Sequence, residues 1–269
     1  MTAMHVESLR RYPVKSMLGE VVPSIFVDER GASGDRHLAL VDSETNRIAS
    51  AKQPRLWRKL LQFTASGETG HVCIRLPDGG SIAADDPDID EVLSKLVGRS
   101  VSLVGKRPPG AALERPDPET VLEQGEDAEV AGQILEIAQA TPGNSFTDLA
   151  PLHAITTATV EHIGTEALRY RPNIVIATPP GYPPYAENDW VGNDLTVGAT
   201  QLHVLKATAR CALPTLEHGD LPRAPHALRT PAAENRLQSP GSGPAACAGV
   251  YLTVLAAGTI QTGDPVTLQ

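Results

Sequence analysis

Cys211 is the side chain best suited to bond a soft metal or attack an electrophile. It ends the run Leu205-Lys206-Ala207-Thr208-Ala209-Arg210-Cys211, which Ala212-Leu213-Pro214 breaks. A thiol beside an arginine at a strand-to-loop exit can be held as a thiolate, the form that acts as nucleophile and soft-metal ligand. The bland alternative is a small buried hydrophobe, the usual state of a lone cysteine in an apolar run. Three other segments carry useful donors. Tyr12-Pro13-Val14-Lys15-Ser16 puts a cation and a hydroxyl at the tip of a strand. Gly34-Asp35-Arg36-His37 brings Arg36 out of a tight turn. Arg171-Pro172-Asn173 sets Arg171 and Asn173 two apart, one side of an extended chain. Lys, Ser, Arg and Asn are the donors that hold a phosphate and a polar heterocycle, and arginine adds planar bidentate contacts. Each also has an ordinary role. Arg36 could pair with neighbours of Asp35 or with Asp42, and Arg171 could close a surface salt bridge. Spacing alone does not bring the four segments together.

Short strands must position these residues. Strands are expected at Val6–Tyr12, His37–Val41, Val72–Leu76, Val101–Val104, Ile134–Ala138, Asn173–Ala177, Leu202–Ala207 and Val250–Leu255. Turn clusters such as Pro77-Asp78-Gly79-Gly80 bound several of them. Ile89, Val92, Leu93, Leu96 and Val97 fall at helical spacing, with Gly98 as the stop. Further helices are expected at Thr157–Leu168 and Pro231–Leu237. Residues 107–129, rich in Pro, Gly and acid, read as a linker or exposed excursion between units 1–106 and 130–269. Gln238 to Pro244 reads as a flexible loop.

Composition narrows the function. A chain of 269 residues with 41% hydrophobic and 20% charged content can build a soluble globular core. Its net charge of −9 argues against a general nucleic-acid or anionic-membrane surface, so an anionic ligand would need a local basic pocket. No apolar stretch approaches the roughly 20 residues of a membrane span, and the N-terminus has no signal-peptide core. Three widely spaced cysteines make no disulfide framework, which points to a reducing cytoplasm.

Familiar signatures are missing. Lys15-Ser16 lacks the glycines of a phosphate-binding loop before it. Asp86, Asp88 and Asp90 begin like a calcium loop, but Glu91 stands where that loop needs glycine. There is no His-Glu-x-x-His, Cys-x-x-Cys or Gly-x-Ser-x-Gly.

Taken in order, several segments resemble a known family. Tyr12-Pro13-Val14-Lys15-Ser16, Gly34-Asp35-Arg36 and Ala51-Lys52-Gln53-Pro54-Arg55-Leu56 resemble the N-terminal β-barrel domain of MOSC proteins. Arg171-Pro172-Asn173-Ile174-Val175-Ile176, Tyr185-Ala186-Glu187, Asp189-Trp190, Arg210-Cys211 and Gly263-Asp264-Pro265-Val266 resemble the MOSC domain. The pattern is similar to that of the mitochondrial amidoxime reducing component and its bacterial counterparts. The resemblance implies a mainly β (α+β) fold with two β-barrel-like units and flanking helices. It implies the molybdenum cofactor, Mo-molybdopterin, with Cys211 as the protein ligand to the metal. Lys15, Ser16 and Arg36 match positions that hold the cofactor's phosphate and pterin. Arg171 and Asn173 match pterin contacts, Arg210 flanks the metal ligand, and Thr156 and Thr159 match hydroxyl positions near the cofactor. Ala209 departs from the pattern, since relatives can carry Ser there.

The activity this implies is a metal-dependent, pyridoxal-phosphate-independent reduction of N-hydroxylated compounds, amidoximes and hydroxylamines, by oxygen-atom removal at molybdenum. The cofactor would carry the chemistry and the protein would position it. The chain shows no ferredoxin-like extension after Gln269, so a separate electron donor of the ferredoxin/reductase or cytochrome b5 type is expected. A carrier of the cofactor or of sulfur on Cys211, without turnover, is the alternative. A scaffold with an empty site is a third reading.

Overall fold

The computed structural model describes residues 3–239 and 243–269. Strands dominate and helices are short, so the mainly β, α+β class holds. One large sheet runs from edge to edge through Val266–Leu268, Asp194–Val197, Thr200–Ala209, Gly243–Ala256, Leu152–Thr156, Ile174–Ala177, His5–Arg11 and Glu20–Val22. Arg236–Ser239 pairs beside Gly243–Ala256. Among the described residues every ladder is antiparallel except Leu152–Thr156 with Ile174–Ala177, whose crossover carries the helix Thr157–Ile163.

The N-terminal strand belongs to this sheet. Val6 pairs with Ile176 and Leu9 with Ile174, and Ser24–Asp28 pairs with Gly258–Gln261. Val6, Leu9, Val22, Ile25 and Val27 share one core with Leu152, Ile174, Leu202 and Val250. The first strands, although they precede residue 106, are thus built into the sheet and core of the second unit. Pairing satisfies their backbone polar groups, and the shared core removes their apolar side chains from water.

A second core lies under residues 38–104. Val14, Met17, Leu40, Trp57, Leu60, Phe63, Ile74 and Leu93 fill it. Two small sheets cover it, Ala39–Asp42 with Val101–Val104 and Thr64–Ser66 with Cys73–Arg75 and Ser81–Ala83. The helix Ile89–Val97 sits where the periodicity placed it, burying Ile89, Leu93 and Val97 and ending at left-handed Gly98.

Three expectations change. Residues 107–129 carry the strand Ala112–Pro116, which pairs with Gly132–Glu136, and the helix Pro118–Gln124. Pro118 lies at the start of that helix, where a missing N–H costs nothing, and Asp117 caps it by accepting from the Thr120 amide at 2.8 Å. Leu113 is fully buried with Ile48 and Phe146, so this segment is part of the core. The helix from Thr157 stops at Ile163 because Gly164 takes a left-handed turn (φ +75°), and a separate 3-10 turn follows at Ala167–Tyr170. The last helix is His226–Glu234, and Arg236 and Leu237 belong to a strand. The loop expected at 238–244 is, in its described part, a ladder pairing Gln238 with Pro244. Residues 240–242 lie outside the described residues.

Candidate functional site

The strand Thr200–Ala209 delivers Arg210 and Cys211 to the junction of the two units. The Arg210 amide donates to Ala246 O at 2.8 Å, which extends the ladder by one bond before the chain turns away. Cys211 is buried, with Ala51, Leu61, Leu213 and Leu216 behind it and the cleft in front. Cys211 packs as a small hydrophobe, and its residue also forms cleft wall.

Lys15 and Ser16 reach the same cleft from the end of the first strand. The Lys15 amide donates to Leu38 O, and Ser16 turns left-handed (φ 66°). Ser16 Oγ accepts from the Ala51 amide at 3.1 Å, which leaves its own proton free to donate. Gly19 returns the chain where a Cβ would meet Arg11 O at 2.0 Å, so only glycine fits.

Arg36 follows Gly34 (φ 75°) and is itself left-handed. Its amide donates to Tyr12 O, and its side chain pairs with Asp35 and donates to Arg171 O at 3.0 Å. Asp42, the other candidate partner, binds Arg99 instead. Arg171 is left-handed (φ 55°) at the end of the 3-10 turn. The expected side-by-side display of Arg171 and Asn173 on an extended chain is therefore wrong, because the strand begins only at Ile174. Ser16, Arg36 and Arg171 are three of the six non-glycine residues with positive φ among the described residues. Strain of this kind collects at functional sites.

Asn173 is spent on the scaffold. Its Nδ2 donates to Arg10 O, and its Oδ1 accepts from the His153 amide at 3.2 Å with Arg36 Nη1 at a long 3.5 Å. It clasps two strands and steadies Arg36. Arg210 donates to Tyr170 O at 2.9 Å and to Ala248 O at 3.3 Å, and its Nη1 lies 3.3 Å from His153 Nε2. Burial, then Arg210 and Arg36, hold His153 well below the usual histidine range, so the ring is neutral. A neutral ring facing an arginine donor accepts at Nε2, which assigns its proton to Nδ1.

Thr156 and Thr159 do not reach the cleft. Both hydroxyls donate to Glu187 Oε2, at 2.9 and 2.8 Å, and Glu187 Oε1 accepts from the Gly249 amide at 3.2 Å. Thr156 is also the cap of the helix Thr157–Ile163. Their hydroxyls satisfy the fully buried Glu187 carboxyl group.

The structure adds residues that sequence reasoning missed. Lys52, Arg115, Asp148, His153 and Thr208 line the cleft with Lys15, Ser16, Arg36, Arg171, Asn173, Arg210 and Cys211. Lys52 lay inside a segment already singled out. Thr208 lay in another, the run ending at Cys211, and no spacing signal marks Arg115, Asp148 and His153, which come from two strands and a loop. Arg115 comes from the supposed linker and donates to Arg210 O at 3.0 Å.

Six basic side chains face one lining carboxylate, Asp148, in a chain of net charge −9. Among the described residues, Arg171 Nη2, Arg210 Nε and Thr208 Oγ1 are buried without partners. Burial, and then Arg36, lower the Arg171 pKa to about 10. Concentrated, under-neutralised donors of this kind suit a bound anion. A thiol in the same wall suits a thiophilic metal. The residues present thus fit a phosphorylated, metal-bearing cofactor.

Residues 3–102 match the MOSC N-terminal beta barrel domain, and residues 143–267 match the MOSC domain. The chain belongs to the MOSC-domain proteins. MOSC domains are associated with molybdenum-cofactor sulfurases and oxidoreductase-like proteins. No curated protein matches the chain. Among solved structures, it is similar to the YuaD protein from Bacillus subtilis at 9% identity and a TM-score of 0.42, covering 99% of this chain and 96% of that one. It is similar to YiiM from Geobacillus stearothermophilus at 16% identity and a TM-score of 0.31, covering 59% of this chain and 72% of that one. The MOSC domain supplies Arg171, Asn173, Arg210 and Cys211, and the N-terminal domain supplies Lys15, Ser16, Arg36 and Lys52. Arg115 and the strand that carries it fall between the two matched segments. Among the described residues, no helix is long and apolar enough to cross a membrane.

Proposed function

We propose that this MOSC protein is a molybdenum-cofactor-dependent oxidoreductase that reduces N-hydroxylated compounds such as amidoximes and hydroxylamines. The observation that supports this most is the cleft itself: unpartnered buried guanidinium nitrogens and the Cys211 wall share one strongly basic space. When bound, the cofactor supplies the two-electron chemistry that removes the oxygen of an N-hydroxyl group. Cys211 would hold the metal through its sulfur. Lys15, Lys52, Ser16 and Arg36 would hold the phosphate, and Arg171 and Arg210 the pterin. Tyr12 keeps Arg36 and Arg171 in place by lying 5.0 and 4.3 Å from their guanidinium carbons. His153 keeps Arg210 turned toward the cleft.

Electrons would come from a donor site outside these 269 residues. Three cysteines cannot ligate a four-cysteine iron–sulfur cluster within these 269 residues. The test is turnover of an amidoxime and a hydroxylamine by purified holo-protein supplied with a chemical reductant. Product formation that is lost in Cys211→Ala is expected. A metal-loaded protein that leaves both compounds untouched would overturn the reading. Labile sulfur on Cys211 without turnover would point to a carrier.

A further inference from the structure

We propose that Asp148 is a displaceable counter-ion: its carboxylate fills the seat between Lys15 and Lys52 that a phosphate monoester takes over when the ligand binds. The proposal rests on the cofactor reading of the cleft and adds a residue and a binding step to it.

Asp148 divides its two oxygens between two lysines. Oδ1 lies 2.7 Å from Lys15 Nζ and Oδ2 lies 3.0 Å from Lys52 Nζ. Among the described residues these are its carboxylate's only partners. Among the described residues it is also the only acidic one lining the cleft. A carboxylate held in such a seat must either repel an incoming phosphate or make way for it.

The geometry lets it make way. The Asp148 side chain is 33% exposed, against 4% for Lys15 and 12% for Lys52. The lysine side chains are the more buried partners and the carboxylate is the more exposed one. Rotation about its side-chain bonds would return it to water at little desolvation cost. The backbone need not follow, because Asp148 O accepts from the Ala138 amide at 3.1 Å and the Phe146 amide donates to Arg36 O at 2.7 Å. Lys15 would also stay anchored, since its Nζ donates to Phe146 O at 2.8 Å.

Charge favours the exchange. Two lysines and one carboxylate carry a net single positive charge. With the carboxylate turned out, the seat carries two, which matches a phosphate monoester of about −1.5 to −2. Without ligand, the same carboxylate prevents two neighbouring ammonium groups from being buried unpaired, which would be costly. Burial alone would raise the Asp148 pKa, but Lys15 and then Lys52 draw it well below the usual carboxylate range, so it is charged at neutral pH. One side chain thus stabilises the empty cleft and departs from the filled one.

The test is calorimetric titration of cofactor-free protein with inorganic phosphate and pyrophosphate, for wild type, Asp148→Asn and Lys52→Met. Asp148→Asn should bind at least about tenfold more tightly than wild type, a difference of roughly 1.4 kcal/mol. Lys52→Met should bind more weakly. Equal or weaker binding by Asp148→Asn, or no binding by any form at millimolar phosphate, would overturn the proposal. If Asp148→Asn does not fold, a crystal structure of wild type with phosphate decides. A carboxylate turned away from both lysines supports the exchange, and one still bridging them contradicts it. Tighter phosphate binding by Asp148→Asn alongside a wild type that retains no molybdenum would leave the exchange standing and remove the cofactor reading.

Discussion

The guanidinium carbon of Arg171 lies 4.3 Å from the centroid of the Tyr12 ring. Its Nη1 donates to Met17 O at 2.6 Å, and its Nη2 is buried without a partner. A buried cation held by an aromatic face and a carbonyl, with no carboxylate, is expensive to keep. Removing it should therefore cost the empty protein little. Arg171→Met should melt within a few degrees of wild type, or higher, while its anion binding falls about tenfold or more. Thermal melts with and without phosphate check this. A large loss of stability without ligand would instead make Arg171 a structural residue.

Thr156 and Thr159 should act on stability and not on loading. Deleting either hydroxyl removes a donor from buried Glu187 and should cost about 1–3 kcal/mol of unfolding free energy. The expected outcome for Thr159→Ala is a lower denaturation midpoint with unchanged molybdenum per folded chain. Normal stability with lost metal would return these threonines to the cofactor site.

Lys15 should set a pH limit on anion binding. Burial lowers its pKa to about 8, although Asp148 opposes the shift. Below that pH Lys15 is charged in both folded and unfolded chains, so the cost of burying the charge is present in full. Between about 8 and its unfolded value the folded chain has lost the proton while the unfolded chain keeps it, and stability rises with pH. Phosphate affinity should move the other way. Counted per phosphate dianion, it should be flat below pH 8 and fall by up to about tenfold per unit above it, as binding begins to require proton uptake. Titrations across this range check the slope. Constant affinity to pH 9.5 would mean that Lys15 does not serve the anion.

How much of this was legible in the sequence depends on the range of the signal. The helix Ile89–Val97 was readable because its apolar period and its glycine stop are local. The strand ending at Arg210-Cys211 was readable for the same reason. The segment 107–129 was misread because Pro118 was taken as a breaker, although proline is well placed at a helix start and Asp117 supplies the cap. Lys15, Ser16, Arg36, Arg171, Asn173, Arg210 and Cys211, which line one cleft, were singled out from residue type and family pattern. Their meeting could not be read, since it needs the first strand to pair with Ile174–Ala177 across the whole chain. The left-handed turns at Ser16, Arg36 and Arg171 leave no mark in a sequence without glycine there. The bonds of Thr156 and Thr159 to Glu187 could not be read, because Glu187 lies about thirty residues on and only the fold shows it buried.

The most direct test is molybdenum per chain by elemental mass spectrometry, on wild type and Cys211→Ala purified from a host that makes the cofactor. The cleft described above predicts near-stoichiometric metal in wild type, and loss of metal or an altered molybdenum spectrum in the folded variant. A well-folded wild type without molybdenum, made in a host whose other molybdoenzymes are loaded, would contradict it.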